Sequence, residues 1–287
     1  MSTAIHDPAW LDRQYNALAA VPDAPAVFSR WAALSATART RTKHELDVRY
    51  GLGPTQTLDW FSACRQRAPV LVFIHGGYWR GSDKSVHAFI APAFVAKGCD
   101  VVMLNYDLCP SVSMTALALQ VSTGLARASR ELLSRGGDPT RVVVAGHSAG
   151  AHLAAMMLAC DWRKVGRDLP ADLVTRALAI SGLFDLEPLR HAPFLKDDLR
   201  LDELSARRLS PAYFPAPAGR VLNAALGGLE SAEFHRQTQL IAAAWGRDTV
   251  PVTASIEGRN HFTIVEDLAT PGKKLHDMAC GLLSIDH

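Results

Sequence analysis

The feature that most constrains this chain is a rhythm: short apolar runs alternate with longer stretches whose apolar residues recur every three or four positions. Runs at 69–74 (PVLVFI), 100–104 (DVVML), 141–145 (RVVVA), 177–181 (ALAIS), 221–226 (VLNAAL) and 252–256 (VTASI) are short and rich in branched residues. That marks strands covered on both faces. Stretches 86–97, 114–134, 149–160, 231–245 and 273–283 between them have helical spacing and are long enough to cross from one parallel strand to the next. The expected class is α/β: a mostly parallel central sheet with helices on both faces. Two earlier segments, 45–50 (ELDVRY) and 57–61 (TLDWF), alternate apolar with polar around a Gly-Leu-Gly-Pro turn and predict an antiparallel hairpin at the start of the sheet. Residues 183–219 break the rhythm with prolines and a charged patch, KDDLRLDELSARR, which suggests a small lid inserted above the sheet. No linker or composition shift divides the chain, so 1–287 reads as one domain.

Charge and composition exclude several function classes. Thirty Lys and Arg against 28 Asp and Glu leave a formal charge of +2, too weak to mark a nucleic-acid or anionic-membrane surface. The basic stretch Arg39 to Lys43 (RTRTK) has no interleaved aromatics and reads as a solvated helix end. The densest apolar run, Leu153 to Cys160, is eight residues long, far short of a membrane span. Asp7, Asp12 and Arg13 interrupt the place where a secretory leader needs an apolar core. The five cysteines (Cys64, Cys99, Cys109, Cys160, Cys280) show no CxxC spacing and read as reduced thiols. A soluble, cytoplasmic protein is expected. The sequence holds no HExxH and no Walker loop, and Gly51-Leu52-Gly53 runs into Pro54, so neither metal nor nucleotide cofactor is expected.

The chemistry is carried by Gly146-His147-Ser148-Ala149-Gly150, a G-x-S-x-G between a predicted strand and a predicted helix. An ordinary glycine-rich turn is the alternative, but the strand–turn–helix setting is the one that holds a serine hydroxyl out at the top of a sheet. The glycines let strand and helix backbones approach where a Cβ would intrude.

A serine hydroxyl is a weak nucleophile at neutral pH and needs an imidazole to take its proton and a carboxylate to orient that imidazole. Of the histidines after Ser148, namely His152, His191, His235, His261, His276 and His287, His261 is placed in a short loop just past a predicted strand. His152 and His235 decorate helices, His191 lies in the lid within reach of a substrate, and His147 packs within the elbow. For the acid, Glu230 follows a predicted strand through Gly227-Gly228, at the carboxyl end of the sheet where catalytic groups gather. Asp185 follows another strand in the same way and stays an alternative, with helix capping as its plainer role. Asp248 precedes its strand and falls at the opposite end.

His75-Gly76-Gly77-Tyr78-Trp79 follows the 69–74 run directly. The backbone N–H groups of Gly76 and Gly77, with that of Ala149, can reach the oxygen of a tetrahedral intermediate. Tyr78 and Trp79 then stand beside the acyl pocket as aromatic walls, with core packing the competing reading for Trp79.

HGGYW at 75–79, GHSAGAHLAAMML at 146–158, SGLFDLEPL at 181–189, SAEFHRQ at 231–237 and NHFTIVEDL at 260–268 resemble the arylformamidases (kynurenine formamidases) of the α/β-hydrolase superfamily, related to the hormone-sensitive-lipase-like esterases. The similarity runs through nearly the whole chain, and the EFHRQ and HFTIVE blocks are more specific than HGG or GxSxG. It implies an α/β-hydrolase fold, Ser148 as nucleophile, His261 as base and the position of Glu230 as acid, where the animal enzymes look as if they carry aspartate. It also implies hydrolysis of N-formylkynurenine to kynurenine and formate. The same constellation suits a general carboxylesterase or an aryl amide or carbamate hydrolase, and the reading from another class is an inactive scaffold that only binds. The expected partner is a small amide or ester, not nucleic acid or membrane. A second copy of the chain, as a homodimer, is the one further partner considered.

Overall fold

The computed structural model describes residues 7–285 and contains eight strands: β1 (His44–Arg49), β2 (Thr57–Phe61), β3 (Val70–Ile74), β4 (Asp100–Leu104), β5 (Val142–His147), β6 (Arg176–Ile180), β7 (Val221–Gly227) and β8 (Thr253–Ile256). They form one sheet in the order β1-β2-β4-β3-β5-β6-β7-β8. β1 and β2 pair antiparallel, β2 runs antiparallel to β4, and every other neighbouring pair is parallel. Each predicted strand is present with its ends shifted by no more than two residues. The chain is thus an α/β-hydrolase fold with a mostly parallel mixed sheet between helices.

The buried strands explain the near-continuous apolar runs. Val70, Val72 and Ile74 face one layer, made by helices Met114–Ser134, Ala149–Leu158 and Ala232–Thr249. Leu71 and Phe73 face the other, made by Ala24–Arg41 and Lys274–Leu283. Side chains of period two therefore feed two cores, and neither face of the central strands meets water. β1 lies at the sheet edge with mostly exposed side chains, which is why it keeps a polar alternation.

Three helical expectations change. The stretch read as one helix over 86–97 is a 3-10 helix, Lys84–Ile90, followed by a short α-helix, Ala91–Val95. Pro92 is the cause: it has no N–H to continue the helical ladder and sits where a new helix starts. The helix expected to stop at 245 is regular to that point, and Gly246, at φ 71°, breaks it before one more turn. At the N-terminus, helices Pro8–Tyr15, Ala17–Ala20 and Ala24–Arg41 occupy a stretch for which no element was expected, apart from the helix end at Arg39 and Arg41, which stands in the last turn of Ala24–Arg41. The leader expectation falls partly on residues 1–6, outside the described residues.

Between β6 and β7 the chain forms only short helical turns, Glu187–His191, Lys196–Leu199, Glu203–Arg208 and Pro211–Tyr213. Among the described residues no helix is long and apolar enough to cross a membrane, and all five cysteines are free thiols.

Candidate active site

β5 is buried along its whole length and ends at a turn on which Ser148 takes φ 56° and ψ −117°, a conformation that L-residues rarely adopt. The Ser148 N–H donates to the Ile180 carbonyl at 2.8 Å, fixing the turn to β6. The flanking glycines make this geometry possible. A Cβ on Gly150 would stand 2.6 Å from the His75 carbonyl oxygen and closer still to that of Ile74, and one on Gly146 would meet the Gly150 carbonyl. The elbow helix thus packs its backbone directly on β3, an approach closed to any larger residue.

The turn brings the hydroxyl to an imidazole from another part of the chain. His261 Nε2 lies 3.1 Å from Ser148 Oγ, and its Nδ1 lies 2.7 Å from Glu230 Oε2. A carboxylate only accepts, so Nδ1 carries the proton and Nε2 is left to accept from the hydroxyl. Glu230 is held by two further donors on its other oxygen: Ser181 Oγ at 2.5 Å and the Gly227 N–H at 2.6 Å. The extra methylene of glutamate is accommodated because the chain leaves β7 through Gly227-Gly228 and folds Glu230 back over the strand end, its N–H bonded to the Gly227 carbonyl. Asp185 takes no part in this array. Its carboxylate caps the N–H of Glu187 at 3.1 Å, lies 3.9 Å from Arg236, and is pushed up in pKa chiefly by burial.

A second imidazole steadies the His261 loop. His147 Nε2–H donates to the His261 carbonyl at 2.7 Å, tying the turn at Ser148 to the loop after β8. Burial drives the pKa of His147 well below the ordinary histidine value, so this ring is a neutral brace at physiological pH.

The glycine loop comes from β3 to the same end of the sheet. A Cβ on Gly76 would lie 3.1 Å from the Ser148 Cβ, so the loop backbone lies against Ser148. Among the described residues, the backbone N–H groups of Gly76 and Gly77 have no protein acceptor, and that of Ala149 is the first of its helix, which has no intrahelical partner. The loop is braced from behind: the His75 ring bridges the Gly76 carbonyl and Asn105 Oδ1, each at 2.8 Å, while Asn105 Nδ2 donates to Asp83 Oδ2 at 2.7 Å. Tyr106 stacks on His75 at 4.3 Å and donates its hydroxyl to the His75 carbonyl.

A cavity of about 780 Å³ opens over Ser148 and His261. Tyr78 lines it. Trp79 does not: its ring is fully buried beneath the loop, edge-on to His152, with its indole N–H 3.3 Å from His152 Nδ1. Tyr78 and Trp79 both take positive φ, and their rings sit in different surroundings. His152 is accordingly a core residue whose Nε2 donates to the Leu209 carbonyl at 2.6 Å. His191 does not line the cavity and lies 3.6 Å from Glu187, and His287 is outside the described residues. The segment between β6 and β7 contributes Phe194 and Asp198, but much of the wall comes from the N-terminal segment, including Leu18, Phe28 and Trp31.

Several supporting residues escaped the sequence reading. Ser181 stands directly after β6 and Asn105 directly after β4, positions where a polar residue at a strand end is a usable signal. Tyr15 was hidden in the N-terminal helix. Its hydroxyl donates to Glu233 at 2.5 Å, and its carbonyl accepts from Tyr78. Among the described residues no group of three or more His, Cys, Asp or Glu side chains gathers to hold a metal ion.

Comparison with known proteins gives a consistent picture. A family model described as alpha/beta hydrolase fold matches residues 71–241. Kynurenine formamidase of Danio rerio is 29% identical over 239 residues, 80% of this chain and 79% of its own length. The Drosophila melanogaster kynurenine formamidase is 29% identical over 77% of this chain and 76% of its own. Among solved structures, a candidate thioesterase from Silicibacter sp. TM1040 is 31% identical, with a TM-score of 0.80 over 91% of this chain and 95% of its own. An esterase from Pyrobaculum calidifontis, at 18% identity and a TM-score of 0.70 over 93% of this chain and 95% of its own, shares the fold.

Proposed function

From the premise that the chain belongs to the alpha/beta hydrolase fold family and is an esterase or amidase of it, we propose that it cleaves short-acyl aryl amides through an acyl-enzyme on Ser148. The most specific substrate is an aryl formamide such as N-formylkynurenine. The observation that carries this reading is the unbroken line from Glu230 through His261 to Ser148, 2.7 and 3.1 Å long, at a cavity walled by aromatic rings.

In the proposed reaction, Ser148 Oγ attacks the formyl carbon while His261 Nε2 takes the hydroxyl proton. Glu230 holds the imidazole in the tautomer that can accept it and stabilises the imidazolium that results. The carbonyl electrons move onto oxygen, which meets the N–H groups of Gly76, Gly77 and Ala149. Each such donor contributes about 3 kcal/mol to transition-state stabilisation. Collapse expels the arylamine, which takes the proton from His261. Water, deprotonated by the same Nε2, then releases formate from Ser148. We read 1–287 as one domain with 183–219 as its lid, sharing the wall of the cavity with the N-terminal helices.

The kynurenine formamidases that align over about four-fifths of this chain support the formamide. The test is a comparison of kcat/KM on N-formyl-L-kynurenine, p-nitrophenyl acetate and an aryl carbamate, with Ser148→Ala as control. The formamide is expected to lead the panel, and Ser148→Ala to lose nearly all turnover and all labelling by a fluorophosphonate probe. A formamide slower than the ester by tenfold or more overturns the substrate, and unchanged turnover in Ser148→Ala overturns the mechanism.

A further inference from the structure

The loop that carries Gly76 and Gly77 leans on a ring whose two nitrogens both meet oxygen. His75 Nδ1 lies 2.8 Å from the Gly76 carbonyl oxygen, and Nε2 lies 2.8 Å from Asn105 Oδ1. A carbonyl oxygen only accepts, so the first contact requires a proton on Nδ1. The second turns on which way the Asn105 amide points, and two neighbours fix it. Its NH₂ donates to Asp83 Oδ2 at 2.7 Å, and its oxygen accepts the Lys84 N–H at 3.3 Å. Turned over, the amide would set its oxygen against a carboxylate. Asp83, the N-cap of the 3-10 helix Lys84–Ile90, takes the Ser85 N–H on its other oxygen at 2.8 Å. Against burial, the hydrogen bonds from Ser85 and Asn105 hold its pKa below the ordinary carboxylate value. Asn105 therefore offers Nε2 an acceptor, and Nε2 needs a proton as well. The ring is fully buried, which leaves solvent no access to either nitrogen. The other charges near it are accounted for. Lys84 is ion-paired with Asp47 and Asp59 at 2.7 and 2.5 Å, and His87, its ring centroid 6.1 Å away, is kept neutral chiefly by burial, with a pKa of about 3. Burial pushes the pKa of His75 down too, and the two acceptors and the Asp83 carboxylate work against that push.

We propose that His75 is a positioning residue that carries a proton on each ring nitrogen, and that this buried positive charge strengthens the Gly77 N–H as a donor to the oxyanion. The Gly76 carbonyl and the Gly77 N–H belong to one peptide unit, whose resonance links them. A charged donor on the carbonyl oxygen draws electrons from that unit and makes its N–H a stronger donor to developing negative charge. The charge is in place before a substrate arrives, so it costs no reorganisation during the reaction. Asn105, directly after β4, relays the countercharge: it passes the demand for a proton from the Asp83 carboxylate to the ring. This rests on the oxyanion role of Gly77 in the reaction above and adds the source of that donor's strength.

NMR of the full chain labelled with ¹⁵N-histidine at pH 7 reads the charge directly, the His75 signals being assigned by their loss in His75→Gln. Both ring nitrogens are expected to be protonated, and a lone pair on either overturns the proposal. Asp83→Asn then separates charge from structure. The Ser85 N–H cannot reverse its role, so the new amide turns its oxygen to Ser85 and its NH₂ to Asn105. Asn105 turns over in response and donates to Nε2, leaving a neutral imidazole whose bond to the Gly76 carbonyl is intact. The expected result is one ring proton lost, kcat on p-nitrophenyl acetate lower by about tenfold, KM within about twofold of wild type and a melting temperature that moves little. That fall is smaller than the roughly 10²–10³-fold that follows outright removal of an oxyanion donor. Unchanged kcat beside a neutral ring overturns the electrostatic role. So does a fall in kcat with the ring still doubly protonated, which is what a purely structural brace would give. Should Asp83→Asn fail to fold, the wild-type spectrum decides alone. Turnover is a separate readout: a wild-type protein with a charged His75 and no hydrolysis of any ester or amide refutes the proposed reaction and leaves the charge standing.

Discussion

Replacing Glu230 by glutamine is the sharpest test of how His261 is held, because it removes a charge without removing an atom. The outcome follows from which donors surround the carboxylate. Ser181 Oγ–H and the Gly227 N–H both point at Oε1. A backbone N–H cannot reverse its role, so the oxygen of the new amide must take that position. Its NH₂ is then placed where Oε2 was, 2.7 Å from His261 Nδ1. Two donors cannot face each other, so Nδ1 becomes the acceptor and the imidazole proton moves to Nε2. That atom lies 3.1 Å from Ser148 Oγ and no longer has a lone pair to receive the hydroxyl proton. The wrong tautomer in a Ser-His-acid triad lowers kcat by about 10⁴-fold, which is about 5 kcal/mol at the transition state. The assay is steady-state hydrolysis of p-nitrophenyl acetate beside a thermal melt, and the melt should move little because the three donor contacts around residue 230 keep their shape. A folded Glu230→Gln protein within tenfold of wild-type kcat would refute this reasoning and return the acid to another residue.

Smaller perturbations of the same array grade accordingly. Ser181→Ala removes one of the three donors on Glu230 and should lower kcat by roughly five- to thirtyfold, about 1–2 kcal/mol, with KM little changed in steady-state kinetics. Gly150→Ala drives a Cβ into the Ile74 and His75 carbonyls and should destabilise by about 1–3 kcal/mol, read as a melting temperature lower by several degrees together with a fall in kcat. Burial depresses the pKa of His152 to about 4 against 6.5 for the free group. The unfolded chain therefore binds the proton first, so this stabilisation is complete above about pH 6.5 and is lost as pH falls toward 4. It amounts to about 3 kcal/mol, and urea unfolding at pH 7 and pH 4 should show His152→Gln losing less stability between the two than wild type.

The strands were legible because burial on both faces leaves little freedom of composition: β3 is apolar throughout, and β4 and β5 carry a polar residue only at one end, Asp100 and His147. Ser148, His261 and the glycine loop, the proposed nucleophile, base and oxyanion donors, come together because each lies in the loop or turn that follows a strand, and the carboxyl ends of parallel strands meet at one edge. The N-terminal helix Ala24–Arg41 was not. Its buried face is Ala24, Val27, Trp31, Ser35 and Ala38, a regular helical stripe built mostly from small residues, and a small side chain carries little hydrophobic signal however well it packs. Trp79 failed differently. Periodicity and motif place it beside the pocket, but the positive φ it shares with Tyr78 is a backbone property that no side-chain pattern reports.

The same distinction explains why the supports of the site are harder to read than the site. A nucleophile or base is limited to a few residue types, whereas a brace need only offer one donor or acceptor at the right height. At the sheet top that task is divided among Ser181, His147, Asn105 and Tyr15, from four separate stretches of chain. Tyr15 shows what this arrangement achieves. Its hydroxyl bonds Glu233 near the acid loop, its carbonyl accepts from Tyr78 in the glycine loop, and the preceding carbonyl, of Gln14, accepts from Ser231 at 2.5 Å. One turn of N-terminal helix therefore joins the segment after β7 that carries Glu230 to the glycine loop after β3. Because these polar groups are largely withdrawn from water, moving either loop would break hydrogen bonds that solvent could not readily replace. The N-terminal segment thus does more than wall the cavity: it ties together the two halves of the proposed catalytic apparatus.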